Sequence, residues 1–214
     1  MSYAVKEMFL TVQGEGVRAG TVAVFLRFAG CNLWTGLEKD RASAVCKFCD
    51  TDFVKTDGVN GGRFQTADAL AAAVASLWQG GGERWVVCTG GEPLLQLDRD
   101  LIVAIKSKGF EIAVETNGTL AAPEGIDWIC VSPKANAPLV QRSGHELKLV
   151  YPQDENQPED FTHLAFENFC LQPRDDSYLG GEVIPSHAHA AFEYCLAHPK
   201  WRLSVQTHKA IAVP

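Results

Sequence analysis

No run of eighteen apolar residues occurs in the chain, so nothing in it is long enough to cross a bilayer as a helix. No cluster or stripe of Lys and Arg is present and the formal net charge is -7, which argues against a nucleic-acid surface. The opening stretch "MSYAVKEMFLTVQGEG" lacks the basic and apolar regions of a secretory signal, so a cytoplasmic location is expected. Full disulfide pairing is impossible with 7 cysteines, and the odd number fits a reducing compartment. There is also no internal repeat and no low-complexity linker. The 214 residues suit one domain, spanning 1–214, with a sizeable core.

What is present is an alternation of apolar runs and helical patterns. Thr21–Gly30 ("TVAVFLRFAG") reads as a buried strand, followed by a helix in "TADALAAAVASLWQGG" with Thr66 as N-cap. "RWVVCTGG" is a second strand, and "LDRDLIVAIKSKG" a second helix stopped by Gly109. Further strands are read in "FEIAVETNG", "DWICVSP", "HELKLVY" and "HLAFENFCLQP". A third helix, "SHAHAAFEYCLAHP", precedes a last strand, "WRLSVQTH". Between "DWICVSP" and "HELKLVY" the chain is too polar and Pro-rich for a helix. This pattern predicts an α/β fold, an open sheet or incomplete β/α barrel with about six parallel strands and few helices. Functional residues then belong at the C-terminal strand ends. "AGC", "TGGEP", "ETNG", "SPK" and "LQP" all fall there.

Cys31 stands fourteen residues ahead of the Cys46/Cys49 pair. Three readings compete for this set. A structural zinc site wants a fourth ligand, and no His or Cys lies two to four residues from Cys31. A thioredoxin-like pair would open a helix after a strand, whereas this C-x2-C follows a polar loop. A 4Fe–4S cluster held by three thiolates would leave one iron open for chemistry. "TGGEP", from Thr89 to Pro93, favours the last: its glycines admit a ligand close to the backbone. Alone, it would be an ordinary turn with a solvated Glu.

"TVQGEG", "LRFAGCNL", "CKFCDT" and "TGGEP" together resemble the radical S-adenosylmethionine superfamily, and within it the 7-carboxy-7-deazaguanine synthase family. The resemblance runs from Gln13 to the final residues. It departs from the superfamily's usual C-x3-C-x2-C spacing, because the cluster loop, about 31–50, is enlarged; a polar loop of that length adds little closure entropy. The resemblance implies a radical SAM-type partial barrel. It implies a lyase reaction in queuosine-type nucleoside biosynthesis, converting 6-carboxy-5,6,7,8-tetrahydropterin to 7-carboxy-7-deazaguanine with loss of ammonia. A 4Fe–4S cluster, S-adenosylmethionine and Mg2+ are the implied cofactors. An electron donor such as a flavodoxin is the implied protein partner, the assembly a homodimer.

Carried onto this sequence, the resemblance gives Cys31, Cys46 and Cys49 to the cluster and Thr51 to magnesium. Gly91 and Glu92 would receive the cofactor's methionyl amino group, and Ser132 and Lys134 its carboxylate or ribose. Gln172 suits an adenine or ribose contact, and Phe48 and Asp50 the nucleoside. Gln13, Gly14, Glu15 and Gly90 would contact the pterin. Arg27, inside an apolar strand, would fork onto the substrate carboxylate; the alternative is a core ion pair with a nearby acid. The last strand should run parallel to the rest and end at the same face, so that His208 and the terminal carboxylate of Pro214 close over the pterin. Two rivals remain: a radical activase of a partner protein, and a zinc or iron–sulfur binding module without turnover.

Overall fold

The structure is a computed structural model that describes residues 2–153, 155–175 and 185–213. One nine-stranded sheet runs through the chain. Its strands are β1 (Tyr3–Val12), β2 (Val22–Phe28), β3 (Gly62–Phe64), β4 (Arg84–Gly90), β5 (Phe110–Thr116), β6 (Trp128–Val131), β7 (Ser143–Tyr151), β8 (Ala165–Pro173) and β9 (Trp201–Leu203), in spatial order β3-β1-β2-β4-β5-β6-β7-β8-β9. From β2 to β9 every neighbouring pair is parallel, whereas β1 pairs antiparallel with both β2 and β3. This is the expected partial barrel with two differences. The parallel strands number seven, and the antiparallel pair β1 and β3 extends the sheet.

Helices cover one face. α1 (Ala67–Leu77) begins where Thr66 accepts a hydrogen bond from the Ala69 N–H, and α2 (Arg99–Ser107) where Asp98 accepts from Leu101 N–H. Each cap stabilises its helix by about 1 kcal/mol. Gly109, at φ +76°, supplies the left-handed turn that ends α2. Leu70, Val74, Leu101, Ile102 and Ile105 bury against Val24, Leu26, Val86, Ile112 and Val114 of the sheet. α3 (Pro185–Ala197) packs beneath β8 and β9, where Ala191 joins Leu147, Leu149, Leu171 and Trp201. No helix forms between β6 and β7, as the composition of that segment required.

Strand alternation puts a second set of side chains on the opposite face. Near the N-terminal edge it is apolar, with Ala23, Val87 and Ala113 buried beside Phe25, Trp85 and Trp128. Toward the C-terminal edge it turns polar: Arg27 pairs laterally with Thr89, Glu115 with Cys130, and Lys148 with Cys170. The predicted last strand is shorter than its sequence suggested. β9 stops at Leu203, and His208 lies in the short helix α4 (Thr207–Ala210). Of the described residues, no helix is long and apolar enough to cross a membrane.

Candidate active site

The C-terminal strand ends surround two adjoining cavities. The first has a volume of about 190 Å3 and opens to solvent. Cys31, Cys46, Phe48, Cys49, Gly90, Gly91, Ser132, Lys134 and Gln172 line it. The second takes Gln13, Gly14, Arg27 and His208. Glu15, Asp50, Thr51, Thr89 and Glu115 belong to both walls. Most residues assigned from sequence to the cofactor line the first chamber and most assigned to the substrate the second; Gly90, assigned to the pterin, lines only the first, and Glu15 and Asp50 stand on the shared boundary.

The enlarged loop has a defined local logic. A 3-10 helix spans Glu38–Ser43, and Arg41 within it clasps the far side of the loop. Its guanidinium donates to the Lys47 and Cys49 carbonyls at 2.9 and 3.0 Å, pairs with Glu38, and lies 4.0 Å over the Trp34 ring. Trp34 packs edge-on against Phe53, while the Val45 and Cys46 N–H groups both donate to the Leu33 carbonyl. These bonds close the fourteen-residue insertion into a ring and return Cys46 toward Cys31. Asn32 fastens the loop to the end of β5, donating to Thr119 and accepting from Asn117.

Cys46 and Cys49 share a hydrogen bond. It lowers the Cys49 thiol to about 7 and, with burial, pushes Cys46 far up. Burial also raises Cys31, against hydrogen bonds from the Leu33 and Trp34 backbone. No three His, Cys, Asp or Glu side chains among the described residues gather closely enough to hold a single metal ion. A four-iron cluster makes a different demand: each thiolate binds a different iron, so the sulfurs stand further apart than ligands of one ion. Three thiols around one cavity fit that group. The glycine turn lines the same cavity, and a side chain at Gly91 would strike the Gly30 carbonyl at 2.1 Å. For magnesium, Asp50, Thr51 and Asp52 bring oxygen donors to the wall of the second cavity, the donor type a hard cation prefers.

Two of the assigned side chains are held by other groups of the protein. Glu92 is fully buried and does not line either cavity. Its carboxylate accepts from Leu94 N–H, Thr116 Oγ1 and Asn117 N–H at 2.8–2.9 Å. It locks the β4 turn to the end of β5. Burial raises its pKa, and those three donors oppose the rise. Gln172 lines the first cavity, but its amide donates to Glu15 at 3.2 Å, so it supports that carboxylate. Lys134 donates to the Ser132 carbonyl and hydroxyl at 2.8 and 2.6 Å, which fixes a cation on the wall near the thiols.

Arg27 forms the ion pair that the sequence offered as its alternative reading. Its Nε donates to Glu7 at 2.8 Å, a half-buried ion pair. No hydrogen bond among the described residues engages its two Nη groups, and the residue lines the second cavity. His208 sits over Gly14, where a Cβ would meet its Nδ1 at 2.0 Å. Thr207 N–H donates to the Gly14 carbonyl at 2.9 Å, and Lys209 bridges Asp50 and Asp175. His208 and Lys209 thus line the second cavity; Pro214 lies outside the described residues.

Lys148, Glu115 and Glu146 were not found from sequence. Lys148 is buried with its Nζ 2.7 Å from Glu15 and 2.9 Å from Glu115. Burial alone would raise Glu15, but the Lys148 ammonium and a Gln206 hydrogen bond hold it down at about 2. The signal available was the i, i+2 pair Glu146 and Lys148 inside an otherwise apolar strand, which places two charges on one face.

The comparisons with known proteins follow this geometry. The Radical SAM superfamily model matches residues 41–143. The chain is 62% identical over 215 residues to the 7-carboxy-7-deazaguanine synthase of Caulobacter vibrioides and 60% identical over 215 residues to that of Bordetella pertussis, covering 100% of both partners in each case. A crystal structure of QueE from Escherichia coli superposes with a TM-score of 0.69 at 28% identity, covering 96% of this chain and 94% of that one. The chain belongs to the 7-carboxy-7-deazaguanine synthase family of the radical S-adenosylmethionine superfamily.

Proposed function

We propose that this chain converts 6-carboxy-5,6,7,8-tetrahydropterin to 7-carboxy-7-deazaguanine with release of ammonia, on the route to queuosine-type 7-deazapurines. One observation carries the reading. Three thiols and a glycine turn line one cavity, a half-engaged arginine lines the next, and carboxylates stand between them. When bound, the 4Fe–4S cluster and S-adenosylmethionine supply one-electron chemistry that no side chain offers.

The chain's own residues position and enclose. Gly90 and Gly91 let the cofactor approach the backbone, and Lys134 faces its carboxylate. Arg27 presents its Nη edge to the substrate carboxylate while Glu7 holds the other edge in place. Glu15 and Glu115 accept from the N–H groups of the pterin, and His208 covers it from solvent. A radical activase would need a way in for a partner protein's backbone; a second cavity closed over by α4 suits a small substrate better. A flavodoxin-like electron donor and a homodimeric assembly belong to the same reading and rest on the family alone. The direct test is turnover of the carboxypterin by anaerobically reconstituted enzyme.

Two variants probe the substrate half. Arg27→Lys keeps a cation for Glu7 but loses the planar fork, so KM for the carboxypterin should rise by about tenfold or more. Stability should change by less than about 1 kcal/mol, because the Glu7 pair is only half-buried. A large loss of melting temperature with KM unchanged would make Arg27 purely structural. For magnesium, chelated enzyme should regain turnover when the ion is restored, and Thr51→Ala should blunt that response while retaining iron. Equal turnover with and without magnesium would remove the metal from this site.

A further inference from the structure

Lys148 lines the first cavity and holds two carboxylates that line both, yet has no role in the chemistry described so far. It comes from the middle of β7, flanked by Leu147 and Leu149, which face the helices. Its Nζ reaches Glu15, from the loop after β1, and Glu115, at the end of β5. Burial alone would lower its pKa; Glu115 and Glu15 outweigh that and keep it charged. The remaining oxygens of both carboxylates are also held. Glu15 Oε1 accepts from Gln206 at 2.8 Å and Gln172 at 3.2 Å, and Glu115 Oε1 accepts from Gln13 at 3.1 Å. A third carboxylate, Glu146, accepts from Val17 N–H, and burial raises its pKa.

A buried ion triad is a poor stabilising device, since desolvation offsets most of the attraction and apolar residues would serve as well. Here the triad stands in a cavity wall. Two carboxylates share one ammonium, so the boundary keeps an excess of negative charge. Glu15 Oε1 already accepts two bonds, but Glu15 Oε2 keeps a second lone pair beyond Lys148, and Glu115 keeps lone pairs beyond Lys148 and Gln13. Such a pair of fixed acceptors matches a ligand that presents adjacent N–H donors, as an aminopyrimidinone edge does.

We infer that Lys148 is the positioning residue that presents Glu15 and Glu115 as paired acceptors at the boundary of the two cavities, and thereby sets the requirement for a substrate with adjacent N–H donors. This rests on the function proposed above. Without Lys148 the two carboxylates repel each other, and one turns away or takes up a proton. The acceptor pair is then lost although neither Glu has been changed.

The test is a double-mutant cycle with holoenzyme, comparing Lys148→Met, Glu115→Gln and the two combined. KM for the carboxypterin should rise about 100-fold in Lys148→Met, the scale for uncompensated charge left in a desolvated site, with kcat and iron content much less affected. In the Glu115→Gln background, loss of Lys148 should cost less than about threefold, because one carboxylate no longer needs a shared cation. If Lys148→Met fails to accumulate, that second comparison stands by itself and must still show the small effect. An unshifted KM in Lys148→Met, or an equal cost of its loss in both backgrounds, overturns the inference. Wild-type enzyme with a full cluster that leaves the carboxypterin untouched overturns the functional reading instead.

Discussion

Replacing any one of Cys31, Cys46 or Cys49 with Ala is expected to remove the cluster and all turnover together. Anaerobically reconstituted wild type should carry about four irons and four sulfides per chain, each thiolate holding a different iron. No spare cysteine lines the first cavity among the described residues. Of the other cysteines, Cys88, Cys130 and Cys170 are buried within β4, β6 and β8, and Cys195 lies on α3. Cys88→Ala, which shortens a fully buried side chain beneath α1 and α2, should lower stability modestly and keep both iron and activity. Full iron content and wild-type turnover in Cys46→Ala would rule out the three-thiolate site.

Gly91→Ala should be nearly as damaging, by a different route. The added Cβ would lie 2.1 Å from the Gly30 carbonyl oxygen, 2.6 Å from its carbon and 2.7 Å from Cys31 Cβ. None of these is the far end of a flexible side chain. The same segments are stitched together by Gly91 N–H to the Phe28 carbonyl at 3.4 Å and Glu92 N–H to the Gly30 carbonyl at 3.0 Å. Relief of the clash must therefore separate the ends of β2 and β4 and carry Cys31 away from its partners. Overpacking of this kind costs about 1–3 kcal/mol, and the displaced cysteine should reduce iron loading sharply. Gly81→Ala is the control: a Cβ there meets nothing within 4 Å, and stability and iron should stay at wild-type values. A Gly91→Ala enzyme with normal iron and normal turnover would show that the turn does not press on the cluster segment.

The parallel strands and the first two helices were legible because their signals are local. Thr66 and Asp98 cap helices within three residues, and runs such as "RWVVCT" are buried on both faces. β1 escaped notice because Lys6 and Glu7 interrupt its apolar alternation. Their partners come from distant segments: Lys6 pairs with Asp52 and Asp57, and Glu7 with Arg27. Motif spacing brought out the thiols and the glycine turn, since both sit where strands end. It did not reveal the inward orientation of Glu92, which depends on donors at the end of β5, 24 and 25 residues away. Lys148 had a local mark in the Glu146 and Lys148 alternation, but the partners that give it meaning lie 133 and 33 residues away.

The most direct measurement is a single anaerobic incubation of reconstituted enzyme with reductant, S-adenosylmethionine, magnesium and 6-carboxy-5,6,7,8-tetrahydropterin. Its products are to be identified by mass and ammonia quantified alongside. The two-cavity site predicts 7-carboxy-7-deazaguanine and ammonia in equal amounts, formed over many turnovers and lost in the Cys49→Ala enzyme. Cleavage of S-adenosylmethionine with the carboxypterin recovered unchanged would contradict it.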